Sequence, residues 1–533
     1  MNAPCSHWLV VLGAISVLAG TACSPGGGTA APAAGSPDSQ PTSVNPATDE
    51  PPAAPAAPPR DASAPQREEI WMACSINGNR MGFTHLIMEP VADQDPPAVR
   101  FAYDDEMKLK RFGAETVVRT RLTGLETPSG ELLSFRSEMQ TGPGATVSEG
   151  RVEGGRLQLQ TSNQGKIQEQ TLAWEKEYGG FFADQHSLRR QPMKPGETRR
   201  LKALLPILNV IGELHFDAVA LESTELPTGT RQLLRINQVT RIDSQQIDSV
   251  LWVDAQGEIQ KMKNVLLGME AVRTTPEDAQ RPSSGAGFDL GFDTIVRIDR
   301  PLRDPHQTQR IVYRARLKDG DVKSLFATGL TQSIRSLEDN SVELTVQAVR
   351  PDRPATLVSP ASDPPTDADR QASTMLQSDD PAVRKLAESV AAGESDTWAI
   401  ATALEKHVKN SIRLKNYSTA MATAAEVAQS LEGDCTEHAM LLAALCRARQ
   451  IPARVAIGLV YYPSAGGFAY HMWTEAWIRD RWIPLDATLG LGGIGAAHLK
   501  LAHSSLQGTG AYAELLPVIQ ALGRLQLEIT SVE

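Results

Sequence analysis

From Glu68 to about residue 350, short runs that alternate apolar with polar residues follow one another, divided by Gly, Pro or Asp. ELLSFRSEM, GRLQLQTS, RQLLRINQVTRI and SVLWVDAQGEIQKMKNVL are examples. An extended chain turns successive side chains to opposite faces, so this pattern buries one face and wets the other only in a strand. The run EEIWMACSINGNRMGFTHLIME adds Asn77-Gly78 between two β-prone stretches, a pair that suits the tight turn of a hairpin. Successive hairpins make antiparallel neighbours, so residues 68–350 are expected to be mostly antiparallel β, in one or two modules. IVYRARL and NSVELTVQAVRP either close the same sheet system or form a second module after the break at Arg300–Gln307. No group of His, Cys and acids in this region suggests a metal site, and a structural or binding role is expected for it.

At 533 residues the chain is too long for one ordinary core. Its 41% hydrophobic and 22% charged residues are close to globular proportions, so most of it can fold. The net charge of -11, from 52 Lys+Arg against 63 Asp+Glu, gives no electrostatic footprint for nucleic acid. Five scattered cysteines, Cys5, Cys23, Cys74, Cys435 and Cys446, are too few for a disulfide scaffold or a paired-Cys zinc site.

Residues 1–22 read as a signal peptide. WLVVLGAISVLAGTAC holds about a dozen apolar residues, the length of a signal core and short for a membrane span. Gly20-Thr21-Ala22 suits ordinary signal peptidase, while Leu18 to Cys23 resembles a degenerate lipobox that would place a lipid on Cys23. Both readings predict export to the periplasm or cell envelope. Residues 23–67 form a tether: Ser24–Gln66 carries 11 prolines in 43 residues, with Ala, Ser and Gly between them and no apolar period.

A second Pro-rich segment, 351–371, marks the passage to residues 372–533, where the period changes from two to 3.6. Asp380-Pro381 reads as an N-cap followed by Pro at the first helical position, with Val383, Leu386 and Val390 at helical spacing. SDTWAIATALEKHVKNSI places Trp398, Ala401, Leu404 and Val408 on one helix face.

In GDCTEHAMLLAALCRARQ, Asp434 is an N-cap and Glu437 completes a capping box, so a helix is expected from Cys435 to about Ala448. Cys435 is then its first residue. Unpaired N–H groups and the positive end of the helix dipole favour a thiolate there, the form that attacks carbonyls. Cys446, eleven residues further along and so about 16 Å up the axis, lies among Leu and Ala and reads as a core residue. His438 at i+3 reads as a packing or hydrogen-bonding residue in preference to a metal ligand, and no metal or cofactor is expected.

A thiolate nucleophile needs a base and a group to orient it. RVAIGLVYY, FAYHMWTEAWI and RWIPLDAT are expected strands, the last two joined by a tight turn at Arg479-Asp480. His471 lies on the second and Asp486 ends the third, so antiparallel neighbours can bring them together. The motifs GDCTEHAMLLAALCRARQIPARVAIGLV, YHMWTEAWI and RWIPLDAT, in that order, resemble the transglutaminase-like superfamily of papain-type folds, strongly over Thr423–Thr488. The flanking sequence resembles large exported bacterial members with a β-rich N-terminal half.

The resemblance implies an α+β C-terminal domain, a helix packed on an antiparallel sheet. It also implies acyl transfer at an amide or ester carbonyl. Cys435 would be the nucleophile, His471 the base and later the proton donor, and Asp486 the residue that fixes the imidazole. The Cys435 N–H would supply one oxyanion donor; Asn416 and Tyr417 are candidates for a second. The expected function is hydrolysis of peptide or amide bonds in a protein or peptide substrate, with two alternatives: a Gln–Lys crosslinking transglutaminase using the same residues, or a noncatalytic envelope scaffold that keeps the fold.

Overall fold

The computed structural model describes residues 67–91, 97–141, 144–243, 245–265, 268–282, 288–318, 320–350, 363–413, 421–508, 513 and 516–533. The signal peptide, Cys23, most of the tether, Asn416 and Tyr417 lie outside the described residues.

The alternating runs between Glu68 and Thr274 join into one fifteen-stranded sheet. Strands follow in chain order from Glu68–Ile76 to the edge strand Lys166–Ala173. A second series then steps back from Tyr178–Gly179, at the other edge, to Met269–Thr274, which pairs with Glu68–Ile76 from Trp71↔Thr274 to Ile76↔Met269. All pairings are antiparallel except that of Tyr178–Gly179 with Thr198–Leu205.

The first hairpin turns at Asn77-Gly78, both at positive φ (49° and 80°), as a two-residue primed turn requires. The period of two is visible in the burial: strand Gln245–Val253 buries Ile247, Ser249, Leu251 and Val253 and leaves the residues between them half-buried. Phe181 and Phe182, at the start of helix Ala183–Arg190, pack edge-on against Phe135 and Phe101 (4.8 and 5.2 Å between ring centres). Asn209 Nδ2 donates to Ser148 Oγ at 3.0 Å, so the two series of strands curl toward each other around this aromatic core.

The large sheet stops at Thr274. IVYRARL and NSVELTVQAVRP form strands Arg310–Leu317 and Val342–Gln347, and with Gln332–Ser336 and the C-terminal strand Leu525–Val532 they make a separate four-stranded sheet. Residues on both sides of the 351–371 linker therefore share a sheet, an outcome of pairing between distant segments that no local pattern marks.

The third sheet carries the C-terminal motifs. Its order is Val296–Arg297, Gly467–Ile478, Ala453–Tyr462, His498–Ser504, with Arg481–Leu485 paired to the free part of Gly467–Ile478 after the turn at Arg479-Asp480 (φ 51° and 61°). Helix Cys435–Ala448 lies on this sheet, and helices Pro381–Ser389, Thr397–Ser411 and Ala424–Ser430 pack on its other sides. Every residue from Cys435 to Arg447 is buried, which is why the sequence shows apolar residues around the whole helix in place of one stripe. Arg447 is tolerated because its guanidinium donates to the carbonyls of Ala453, Gln371 and Ser505 at 2.8–2.9 Å.

Candidate active site

The start of helix Cys435–Ala448 is fixed by its neighbours in sequence. Asp434 Oδ1 accepts from Thr436 N at 3.0 Å, and the capping box is closed by the Asp434 side chain accepting from the Glu437 backbone and by Glu437 Oε2 accepting from Asp434 N at 2.9 Å. Gly433 sits at φ +143°, and a Cβ there would lie 2.3 Å from Glu437 Cβ, so only glycine lets the glutamate fold back over the cap. Glu437 Oε1 also accepts from Ala422 N at 2.9 Å. Burial, and then the adjacent Asp434, hold the Glu437 carboxyl well above the usual range.

Cys435 is completely buried (0% exposed), as are His471 and Asp486. Its Sγ accepts a hydrogen bond from the backbone N–H of Met472 at 3.2 Å. The thiol therefore lies against the peptide that follows His471. Thr474 Oγ1 donates to Ala439 O at 2.9 Å, a second link that sets the helix on this strand.

His471 and Asp486 meet as the strand order allows: Thr474 pairs with Leu485, which continues the register to place Asp486 level with Trp473, two residues from His471 and on the same strand face. His471 Nε2 donates to Asp486 Oδ2 at 2.8 Å. The other ring nitrogen, Nδ1, is buried and has no hydrogen-bond partner among the described residues. Asp486 Oδ1 accepts from Thr488 N at 2.9 Å and from the Thr488 hydroxyl. Burial alone would raise the Asp486 carboxyl, but the charges and hydrogen bonds of His471 and His498 outweigh it and hold it well below the usual carboxylate range.

Three neighbours of this group carry no mark in the sequence. His498, on the far side of strand Ala453–Tyr462, also donates Nε2 to Asp486 Oδ2, at 3.1 Å. His306 packs edge-on to His498, 5.9 Å between ring centres, and burial followed by the neighbouring His498 lowers its imidazole to about 4. Glu405 accepts from Gly492 N at 2.8 Å; burial and then Asp486 push its carboxyl up to about 8. A lone His in an alternating strand such as HLKLAHS looks like any other strand residue, so only the folded sheet assigns His498 to the site.

His471, Asp486 and His498 present ligand atoms within 4.8 Å of one another, a set that could hold a metal ion and that the sequence reading, which named no metal ligand, did not anticipate. Both imidazole Nε2 atoms are already engaged with one carboxylate oxygen, so these ligand atoms have hydrogen-bond partners without an ion. His438 is buried and its Nδ1 lies 2.5 Å from Asp434 O, a hydrogen-bonding side chain of the helix's first turn. Cys446 lies in the core, where burial and then Glu405 push its thiol up to about 12.

Residues 384–487 match the family model of the transglutaminase-like superfamily, and this part of the chain is a transglutaminase-like domain. Among solved structures, the chain is similar to a candidate cysteine protease from Cytophaga hutchinsonii, with 20% identity over 37% of this chain and 80% of that one and a TM-score of 0.26. It is similar also to a β-barrel-like protein of a domain family of unknown function from Brucella abortus, with 9% identity over 39% of this chain and 95% of that one and a TM-score of 0.30. A candidate protease from Parabacteroides distasonis gives 11% identity over 64% and 63% of the two chains, with a TM-score of 0.17. No curated protein matches the sequence.

Proposed function

We propose that the chain is an exported, cysteine-dependent acyl-transfer enzyme that hydrolyses peptide or amide bonds in protein or peptide substrates. The observation that carries this reading is the position of the Cys435 thiol. It sits on the first residue of a helix and accepts the N–H of Met472, which follows a histidine whose Nε2 is bound by a carboxylate and whose Nδ1 has no partner among the described residues. Hydrogen-bond donors and the helix dipole both favour sulfur as the anion.

In this reading the Cys435 thiolate attacks the carbonyl carbon, and the Cys435 N–H, at a helix start where backbone donors are in excess, faces the oxygen as it gains charge. His471 gives its Nδ1 proton to the leaving amine, and Asp486 keeps Nε2–H oriented and stabilises the imidazolium. Water then attacks the thioester, His471 takes its proton, and the acid leaves. A lysine amine in place of water would make the same site a crosslinker. The export signal and the 23–67 tether support placement in the periplasm or envelope, with Cys23 as a lipid anchor.

The test incubates the full mature chain, and its Cys435→Ala variant, with a proteome digest, with and without an added primary amine, and identifies products by mass. New termini that need Cys435 are expected. Amine adducts without new termini would replace hydrolysis with amine transfer, and neither product would leave the scaffold reading standing.

A further inference from the structure

The tip of one hairpin of the large sheet reaches into the transglutaminase-like domain. Strand Ala98–Arg111 turns through Phe112-Gly113, at φ 47° and 85°, into strand Ala114–Glu126. The turn is held by Asp289, whose two carboxylate oxygens accept from Phe112 N at 2.9 Å and Gly113 N at 2.7 Å. The Phe112 ring packs edge-on to Phe292 and to Tyr462, the last residue of strand Ala453–Tyr462. This seating drives Arg111 fully out of solvent, where its Nη2 donates to Asp434 Oδ2 at 2.6 Å.

Asp434 is the cap of the helix that begins with Cys435. Its other oxygen, Oδ1, is committed to Thr436 N, and both oxygens of the second carboxyl of the box, Glu437, accept backbone N–H groups. The charge of Asp434 is thus answered by Arg111, 323 residues away in sequence. An unanswered buried carboxylate next to Cys435 would oppose a second negative charge on sulfur. The buried Tyr470 hydroxyl, raised well above its ordinary value by burial and then by Cys435 and Asp434, against the opposing charge of Arg111, faces the same set of charges.

We infer that Arg111 is a positioning residue of the Cys435 site: by neutralising the helix cap Asp434, the hairpin of the N-terminal sheet makes the thiolate available. The inference rests on the reading of Cys435 as the nucleophile, but it concerns how easily the thiol ionises and not what is turned over. It gives the large sheet a part in the chemistry. The transglutaminase-like domain then depends on a group that it does not itself encode.

The test measures Cys435 alkylation by iodoacetamide against pH, with peptide mapping, in the full mature chain and in three variants. Arg111→Met should move the Cys435 midpoint up by about one pH unit, the scale of an uncompensated neighbouring charge. Asp434→Asn, which keeps the arginine, should move it down. Arg111→Met with Asp434→Asn removes both charges and should return the midpoint toward that of the parent chain, although the ion pair is gone. Should Arg111→Met fail to fold, the downward shift in Asp434→Asn carries the test. A lower melting temperature with an unchanged midpoint in every folded variant would overturn the inference and leave Arg111 a docking contact only. Because the readout is alkylation, this failure is distinct from loss of Cys435-dependent cleavage, which would overturn the proposed function.

Discussion

His471 Nε2 donates to Asp486 Oδ2 across 2.8 Å, and this bond leaves Nδ1 as the nitrogen that can serve a proton transfer. The tautomer is set by the carboxylate, because an ionised carboxylate only accepts. His471→Ala is expected to lower Cys435-dependent cleavage by about 10²–10⁴-fold, the usual worth of a positioned general acid–base group. Asp486→Ala should slow Cys435 alkylation less than His471→Ala does, since the carboxylate acts on the thiol only through the ring. His498→Phe, which leaves the His471–Asp486 bond standing, should cost less activity than either. Steady-state rates of the three variants check the order, and an inert His471→Ala would contradict the assignment.

Thiol chemistry separates the cysteines by ionisation. Cys74, Cys435 and Cys446 are all buried, so exposure does not distinguish them. Cys446 is pushed up to about 12 and should stay unlabelled between pH 6 and pH 9, while Cys435, at a helix start and under the Met472 N–H, should be modified first. Iodoacetamide labelling with peptide mapping measures them together. Equal rates for Cys435 and Cys446 would show that the helix start confers no advantage.

Acidification should weaken the fold before the carboxylates protonate. An unfolded histidine takes up a proton below about pH 6.5, whereas the half-buried His306 does so only near about 4. Between these values the unfolded state binds more protons, so stability is full above about 6.5 and falls as pH drops toward 4. Asp486, whose carboxyl is depressed, acts in the same direction but only below about pH 4. Denaturant unfolding at pH 7 and pH 5 should show His306→Phe losing about 1–2 kcal/mol less than the parent chain over this interval. Parallel losses in the two chains would rule out His306 as the group responsible.

Glu405 acts in the opposite sense. Its carboxyl keeps a proton up to about pH 8 in the fold, but in the unfolded chain it ionises above about 4.3, so its contribution to stability declines as pH rises between those values. Glu405→Gln retains an oxygen to accept the Gly492 N–H and has no charge to desolvate. It should stabilise the chain by about 1–3 kcal/mol at pH 8 and by much less at pH 4.5. Chemical denaturation at the two pH values tests this, and a gain of the same size at both would mean that ionisation is not the cause.

Where a feature depends on residues within a few positions of one another, the sequence by itself determined it. Asp434 and Glu437 start a helix at Cys435 because the capping bonds span three residues. Asn77-Gly78 and Arg479-Asp480 turn their hairpins because short backbone segments at positive φ need no distant contact. Alternation assigned the strands, and strand order placed His471 beside Asp486, because a two-residue turn leaves antiparallel neighbours little choice of register. Tertiary structure alone decided that Arg310–Leu317 would pair with Leu525–Val532, that His498 would share the oxygen of Asp486 with His471, and that Arg111 would answer the charge of the Cys435 helix cap. An arginine at the end of an alternating strand reads as a solvated side chain. Only the seating of the Phe112-Gly113 turn against Asp289 takes it out of water, where a charge must find a partner, and a partner 323 residues away leaves no period in the chain.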